Sequence, residues 1–308
     1  MDSIKIFAPA SVANVACGFD IFGFAVDNPG DEIIVTKNNT GKLTILSIEG
    51  EGGRLPKDPE KNTATIAIQK FLEHIGSDQG FEIHLKKLMP LGSGMGSSAA
   101  SAVAGVYAAN TLMGNPLAQR DLLPFAMEGE RIACGSAHAD NVGPSLMGGF
   151  IVVRSYDPLD IIQIKTPEDL YATIVHPQVE VNTKDARNIL RREVSLKNTI
   201  TQMGNVAGLI AGLMKPDYDI ISRSLVDVII EPIRSILIPQ FDDVKNAAIQ
   251  NGALGCSISG SGPAMFALSK DIDTAHKVGE AMRKGFAKVA IESTCYVSTI
   301  NQNGPIIL

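Results

Sequence analysis

The spacing of hydrophobic residues changes along the chain, and the changes predict a mixture of strands and helices. Residues 81–85 alternate apolar and polar positions, as expected of a half-buried strand. Residues 63–74 instead repeat apolar positions at helical spacing. A first strand is predicted at residues 4–8, ended by Pro9, and a hairpin is predicted from residues 32–36 and 42–45, joined by a turn between them.

The same mixture continues through both halves of the chain. Further strands are predicted at residues 148–153, near 171–176 and at 264–268, and further helices at residues 97–113, 121–134, 199–214, 219–228, 242–250 and 273–286. Because strands and helices do not alternate regularly, the expected fold class is α+β rather than a doubly wound sheet. The character of the sequence shifts at Asp157-Pro158, which places the expected domain boundary between residues 1–156 and 157–308.

The composition narrows the class of partner. The 308 residues are 45% hydrophobic and 19% charged, as in ordinary globular proteins. A formal net charge of −6 without any block of Lys and Arg argues against a nucleic-acid partner and favours a small molecule. The four scattered cysteines lack zinc-ligand spacing, which indicates reduced thiols. No signal sequence or membrane-length apolar run is recognised, so a cytoplasmic protein without a membrane partner is expected.

The most informative segment is rich in glycine and serine and stands between a predicted strand and a predicted helix. It consists of Pro90, Leu91, Gly92, Ser93, Gly94, Met95, Gly96, Ser97, Ser98, Ala99 and Ala100. Glycines leave room for a ligand beside the backbone and permit positive φ, so successive amides can face an anion. The start of the following helix adds free N–H groups and the positive end of the helix dipole.

This loop matches neither of the two best-known phosphate-binding patterns. It has no lysine where the Walker pattern requires one, and its glycines follow G-x-G-x-G rather than G-x-G-x-x-G. Taken by itself, a Gly/Ser loop at this place is as typical of a plain structural turn as of a phosphate site.

The whole eleven-residue segment resembles the second motif of the GHMP kinases, the superfamily of galactokinase, homoserine kinase, mevalonate kinase and phosphomevalonate kinase. Residues 8–14 with 18–20 resemble the first motif, and residues 259–263 resemble the third. The three motifs occur in the family's order and span nearly the whole chain. The resemblance implies an ATP-dependent small-molecule kinase with two lobes, an N-terminal lobe like domain 2 of ribosomal protein S5 and a ferredoxin-like C-terminal lobe.

Details of the motifs resemble the homoserine kinase branch, which phosphorylates the L-homoserine hydroxyl to O-phospho-L-homoserine on the way to threonine. The first motif carries Pro-Ala-Ser-x-x-Asn and Gly-Phe-Asp, where sugar kinases have Gly-Glu-His. Residues 138–144, 183–187 and 231–234 resemble the branch's His-x-Asp-Asn-Val-x-Pro, Thr-x-x-Ala-Arg and Glu-Pro-x-Arg segments. Two departures, Ala16-Cys17 for Gly-Pro and Met95 for Leu, remove no polar group that the chemistry would use. A homodimer is also expected from the resemblance.

For ATP, the resemblance implies contacts from all of residues 90–100 and from Asn62, Lys87 and Thr183. Asn62 is also a candidate for an ordinary helix N-cap, and Lys87 for a solvated strand end. The second Gly-rich turn, with Gly260, Ser261 and Gly262, is expected either to support the first loop or to contact ATP.

A magnesium site is implied at Ser98 and Glu130, which would hold an ion bridging the β- and γ-phosphates. Glu128 lies two residues before Glu130 on the same predicted helix and is expected to face another side.

Homoserine carries an ammonium, a carboxylate and a terminal hydroxyl, and the matched residues offer a partner for each. Asp20 is expected to meet the ammonium, while Arg187 and Arg234 clamp the carboxylate, a task suited to guanidinium groups. The substrate backbone and hydroxyl are expected to be oriented by Asn14, His138 and Asn141.

The catalytic set implied by the resemblance is Asn141, Glu130 and Ser98. Asn141 stands where mevalonate and galactose relatives have an Asp, and an amide cannot accept a proton at neutral pH. Asp140 is adjacent but is expected to point elsewhere. Because phosphoryl transfer is largely dissociative, positioning and charge neutralisation are expected to suffice.

Two other functions stay open at this point. One is a GHMP kinase for another acceptor, such as shikimate, mevalonate or a sugar, against which the paired arginines and Asp20 favour a zwitterionic amino acid. The other is a non-catalytic nucleotide-binding or regulatory protein on the kinase fold, against which the complete loop with Ser98 and Glu130 argues.

Overall fold

The computed structural model of the chain describes residues 1–50 and 52–308, with side chains described outside residues 132–134. Its strands are β1 (Ser3–Ala13), β2 (Phe22–Asn38), β3 (Leu43–Glu49), β4 (Gly80–Lys86), β5 (Phe150–Tyr156), β6 (Leu159–Ile164), β7 (Tyr171–Pro177), β8 (Gly255–Ile258), β9 (Met265–Ser269), β10 (Ser293–Thr299) and β11 (Ile306–Ile307). Its α-helices are α1 (Thr63–Ile75), α2 (Ser97–Leu112), α3 (Leu123–Cys134), α4 (Ala139–Met147), α5 (Thr183–Asn188), α6 (Leu196–Met214), α7 (Tyr218–Ser224), α8 (Glu231–Arg234), α9 (Phe241–Gln250) and α10 (Ile272–Ala287).

The first sheet has the strand order β11-β1-β2-β4-β3, and β5 and β6 extend it from the first part of β2. The predicted hairpin between residues 32–36 and 42–45 is wrong, because β4 lies between β2 and β3. β3 pairs parallel with β4, and α1 forms the crossover. The reason lies in burial: Phe81, Ile83 and Leu85 of β4 are buried and fit the interior of the sheet, whereas β3 is mostly half-exposed and suits its edge.

The first strand does not end at Pro9, as the sequence predicted, but continues to Ala13. The register between β1 and β2 shifts between Pro9 and Ser11. An irregularity of this kind accommodates a proline, which has no N–H to give to a ladder.

The second sheet is antiparallel, with the order β10-β7-β9-β8. This is the order of a ferredoxin-like unit, in which α10 connects β9 to β10 and α5 to α9 lie between β7 and β8. The first sheet extends past residue 156, since β6 returns along β5 after the turn at Asp157-Pro158 and β11 returns to β1. Aspartate and proline favour tight turns as well as linkers, so these two residues mark a hairpin within the first sheet.

Helix α2 is buried along nearly its whole length between the first sheet and the helices α1 and α3. Its small side chains permit this: a Cβ added at Gly105 would lie 2.8 Å from the carbonyl oxygen of Ala64 in α1. Close packing fixes the N-terminus of α2 at the rim of the sheet. No helix in the described ranges is long and apolar enough to cross a bilayer.

Candidate active site

A cleft of about 510 Å³ opens where the N-terminus of α2 faces α5 and α8, and it has the size of a small-molecule site. The predicted site residues that line it are Asn14, Asn62, Lys87, Leu91, Gly92, Ser93, Gly94, Gly96, Ser97, Ser98, Glu130, His138, Asn141, Thr183, Arg187, Arg234, Gly260 and Ser261. Residues separated by most of the chain therefore meet around one space.

Other predicted residues lie outside the lining of this cleft, namely Asp20, Pro90, Met95, Ala99, Ala100 and Gly262. Three of them have side chains that are fully enclosed in the core: Met95, Ala99 and Ala100. These three residues belong to the motif because they pack in the core and so hold in place the loop and the helix that carry the lining residues. Asp20 lies beside the cleft and contacts it through Arg187.

The Gly-rich loop has the backbone that the sequence predicted for it. Gly92, Gly94 and Gly96 have φ angles of 66°, 80° and 68°, in the left-handed region. Gly96 is the N-cap of α2 and gives no side-chain cap. Gly96, Ser97 and Ser98 line the cleft, so the positive end of the α2 dipole faces it, and this end of a helix favours anions.

The three motifs are joined by hydrogen bonds. The Ser259 hydroxyl donates to the Gly94 carbonyl oxygen (2.7 Å), and the Gly260 amide donates to the Ala13 carbonyl oxygen (2.9 Å). The Asn14 amide group donates to the Gly260 carbonyl oxygen (2.9 Å). The second Gly-rich turn thus supports the first loop, and two of its residues also line the cleft.

Lys87 is buried, with 1% of its side chain exposed, so the solvated strand end considered from sequence is wrong. Its ammonium forms an ion pair with Asp31 and donates to the Ser97 carbonyl oxygen (2.8 Å) and the Ser101 hydroxyl (2.6 Å). Asp31 also accepts from the Ser97 hydroxyl (2.8 Å). Lys87 and Asp31 therefore fix the first turn of α2 beneath the cleft.

Asn62 is the N-cap of α1 and also lines the cleft. Its side-chain oxygen accepts from the Ala64 amide (3.1 Å), and its amide group donates to the Pro56 carbonyl oxygen (3.1 Å). The N-cap predicted from sequence is confirmed, and it tethers the segment around Pro56, which lines the same part of the cleft.

Helix α3 brings Glu130 to the cleft because it packs very close to α1. A Cβ added at Gly129 would lie 2.5 Å from the Thr63 carbonyl oxygen. The side chain of Glu130 is buried and lines the cleft together with Ser98. Glu128 faces another side of the helix, where it accepts from Arg131 (2.9 Å).

Ser98 and Glu130 fit a magnesium ion by their chemistry. Mg²⁺ prefers oxygen ligands and is usually held by one or two protein groups together with phosphate oxygens and water. Within the described part of the chain, no three His, Cys, Asp or Glu side chains form a metal-binding group. A metal in this cleft would accordingly rely on phosphate oxygens for much of its coordination.

The far end of the cleft carries two arginines and a carboxylate. Arg187 donates to both oxygens of Asp20 (3.0 and 2.7 Å). Arg234 is 3% exposed and donates to the carbonyl oxygens of Ala186 (3.0 Å) and Gly260 (3.3 Å). Hydrogen bonds to Asp20 raise the pKa of Arg187, whereas burial, followed by the charge of Arg187, lowers the pKa of Arg234 to about 10. Both guanidinium groups are charged at neutral pH.

Helix α4 supplies the residues between the two ends. Asn141 accepts from the Ser11 hydroxyl (3.2 Å), and His138 shares a hydrogen bond with the Ser136 hydroxyl (2.6 Å). Burial lowers the pKa of His138, so its ring is neutral at pH 7. Asp140 is buried and is not part of the lining. Burial, followed by the charge of Asp20, raises its pKa to about 7.

Comparison with known proteins agrees with this architecture. The GHMP kinase N-terminal domain matches residues 62–149, and the GHMP kinase C-terminal domain matches residues 209–288. A homoserine kinase from Chlorobium phaeovibrioides is 52% identical, with 100% of both chains covered, and one from Xylella fastidiosa is 37% identical, with 99% of this chain and 94% of that protein covered. The chain belongs to the homoserine kinase family of the GHMP kinases.

Solved structures extend the comparison to three dimensions. The crystal structure of homoserine kinase from Cytophaga hutchinsonii matches this chain with a TM-score of 0.98 and 61% sequence identity. The match covers 100% of this chain and 98% of that one. Mevalonate kinase from L. major, in complex with R-mevalonate, shares the fold with a TM-score of 0.73 at 16% identity, covering 96% of each chain.

Three residues around the site of this GHMP kinase had no role predicted from the sequence: Asp31, Ser11 and Phe19. The sequence did contain an indication that Lys87, the partner of Asp31, is buried, because the alternation that buries residues 81, 83 and 85 of β4 continues to Lys87. A buried lysine requires a buried acid nearby. The contacts of Ser11 and Phe19 join distant segments, and no local pattern indicates them.

Proposed function

We propose that this GHMP kinase transfers the γ-phosphoryl group of ATP to the hydroxyl of L-homoserine. The observation that carries the proposal is that one cleft combines Ser98 and Glu130 at an anion-binding helix end with Arg187, Arg234 and Asn141 at the other end. The homoserine kinases that share half or more of their sequence with this chain support the choice of acceptor.

The triphosphate would lie along the loop of residues 91–98, where Gly92 has open space beside its backbone and the N-terminus of α2 lines the cleft. Ser98 and Glu130 would hold Mg²⁺. When bound, that ion supplies charge neutralisation to the transferred group. Lys87 would support the phosphate site indirectly, since its ammonium binds Asp31 and the first turn of α2.

Homoserine would replace the ion pair between Asp20 and Arg187 with two new pairs. Its ammonium would take Asp20, and its carboxylate would take Arg187 and Arg234. A zwitterion leaves neither charge of the protein unpaired, whereas a carboxylate without an ammonium, as in mevalonate or shikimate, would take Arg187 and leave Asp20 without its partner, which costs free energy. A neutral sugar offers no partner to either charge. The protein's own ion pair therefore favours an amino acid over mevalonate, shikimate or a sugar.

Positioning rather than a strong base would drive the transfer. Asn141 lines the cleft and cannot accept a proton, and its side-chain oxygen is engaged by Ser11. The Asn141 amide group and the neutral His138 would orient the acceptor hydroxyl toward the γ-phosphorus. Holding the reactants in line and neutralising charge are the main means by which enzymes catalyse phosphoryl transfer.

A cytoplasmic location and a homodimer are further parts of this proposal. The composition of the chain supports the first, and the family resemblance supports the second.

A panel of acceptors tests the proposed function. Purified protein with Mg-ATP would be offered homoserine, serine, mevalonate and galactose, and ADP release would be measured for each. We expect ADP release that depends on homoserine. ADP release with another acceptor alone would assign a different GHMP kinase activity, and ATP binding without turnover on any acceptor would indicate a non-catalytic protein.

A further inference from the structure

Both arginines of the cleft lie over the ring of Phe19. The guanidinium carbon of Arg187 is 5.3 Å from the ring centroid, and that of Arg234 is 4.8 Å from it. Both distances are within the range of cation–π attraction. One aromatic ring therefore contacts both cations of the carboxylate end, which come from α5 and α8.

These two cations need a device that keeps them together. Asp20 forms an ion pair with Arg187, whereas Arg234 is held by the carbonyl oxygens of Ala186 and Gly260. The charge of Arg187 disfavours the charged form of Arg234, as the lowered pKa of Arg234 shows after the larger effect of burial. An aromatic face attracts both guanidinium groups without adding a negative charge that would repel a carboxylate ligand.

The backbone around Phe19 is built to present the ring. A Cβ at Gly18 would overlap the ring of Phe22, so only glycine allows the chain to pass there. The Asp20 amide donates to the Asn14 side chain (2.8 Å), and Asp20 has a φ of 59°. The turn that ends in Asp20 therefore fixes the position of the residue before it.

We propose that Phe19 is a positioning residue whose ring holds Arg187 and Arg234 at the spacing that receives the substrate carboxylate. This inference rests on the proposed function, because it assigns the carboxylate of an amino acid to the two arginines. It adds a role that neither arginine can fill, since each repels the other.

Replacement of the ring by an aliphatic side chain tests the proposal. In Phe19→Leu, we expect KM for homoserine to rise about tenfold, which corresponds to about 1.4 kcal/mol. Turnover and KM for ATP should stay within about twofold of the wild-type values, because the nucleotide end of the cleft is untouched. Phe19→Tyr keeps the aromatic face and should retain wild-type KM for homoserine.

A ligand without the carboxylate separates positioning from general damage. Homoserine amide carries a neutral carboxamide, so its KM should change less than about twofold in Phe19→Leu. Equal losses for homoserine and its amide, or an unchanged KM for homoserine, would overturn the proposal. Phe19→Met, which also lacks a ring, provides the same test if Phe19→Leu does not fold. Absence of homoserine-dependent ADP release in the wild-type protein would instead refute the proposed function.

Discussion

Asp140 and Asn141 are neighbours on α4 with different surroundings. Asn141 lines the cleft, while Asp140 is 1% exposed and lies behind it. Burial, with the nearby Asp20 charge, raises the pKa of Asp140 to about 7. Below that pH its carboxyl group is mainly neutral, so this part of α4 places little negative charge behind a site that would receive a triphosphate.

The raised pKa of Asp140 predicts a stability effect that depends on pH. Its folded-state pKa lies above the unfolded value, so the folded state becomes less stable as pH rises toward and through 7. Compared with wild type, Asp140→Asn should gain little at pH 4 and about 2–4 kcal/mol in free energy of unfolding at pH 8. Urea unfolding at several pH values measures the difference.

The exposed Asp121 provides the control. Asp121→Asn should change the free energy of unfolding by about 0.5 kcal/mol or less at every pH. A difference between Asp140→Asn and wild type that stays constant from pH 4 to pH 8 would contradict the buried, neutral carboxyl group.

At the scale of elements, the N-terminus of α2 is fixed from two sides. Lys87 and Asp31 bind its first turn from the sheet, and the second Gly-rich turn binds the loop that precedes it. A Cβ at Gly94 would overlap the Ser259 carbonyl oxygen, whereas a Cβ at Gly92 meets no atom within 4 Å. The two glycines share a positive φ but differ in the space around them.

This difference gives a matched pair of substitutions. Gly92→Ala introduces only left-handed strain and should lower the free energy of unfolding by about 1 kcal/mol. Gly94→Ala adds a backbone overlap with the supporting turn and should lower it by about 3 kcal/mol or more. Denaturant unfolding without nucleotide is the measurement. Equal losses in the two variants would show that the second turn does not support the first loop.

At the scale of the whole molecule, an ion pair joins the loop between β1 and β2 to α5. Its two residues, Asp20 and Arg187, are 167 residues apart in sequence. Asn14, which follows β1, links the same loop to Gly260 in the turn between β8 and β9. The substrate end of the cleft therefore exists only after both halves of the chain have folded, while the nucleotide loop belongs to the first half.

The ion pair predicts coupled effects on homoserine binding. Asp20→Asn and Arg187→Gln should each raise KM for homoserine about 30-fold or more, because the first leaves the ammonium without its carboxylate and the second leaves the ligand carboxylate with Arg234 alone. The double variant should lose less than the product of the single effects. KM for ATP should change less than about threefold in all three variants.

The surface pair of Glu128 and Arg131 on α3 is the matched control. Exposed pairs of this kind contribute about 1 kcal/mol or less, so Glu128→Gln with Arg131→Gln should leave KM for homoserine unchanged. Independent, multiplicative effects of Asp20→Asn and Arg187→Gln would contradict replacement of the ion pair by a zwitterion.

Much of the fold followed from local pattern, because periodicity reports which side of an element is buried. The helix at residues 63–74 and the strand at 81–85 are confirmed as parts of α1 and β4. The hairpin at residues 32–45 was wrong because strand pairing is a non-local choice, and β4 fits the interior better than β3 does.

The motifs predicted those site residues that line the cleft directly, such as Ser98 and Arg234. The sequence did not indicate Phe19 or Asp31, since their roles depend on partners elsewhere in the chain. Phe19 contacts arginines on α5 and α8, and Asp31 binds Lys87, which directly follows the neighbouring strand β4.

Identification of the product tests the central claim most directly. The protein would be incubated with Mg-ATP and L-homoserine and followed by phosphorus NMR, with Glu130→Gln as the variant expected to be nearly inactive. We predict that ADP and a phosphomonoester on the side-chain oxygen of homoserine appear in equal amounts. Release of inorganic phosphate without that ester, or equal ester formation by Glu130→Gln, would contradict the account.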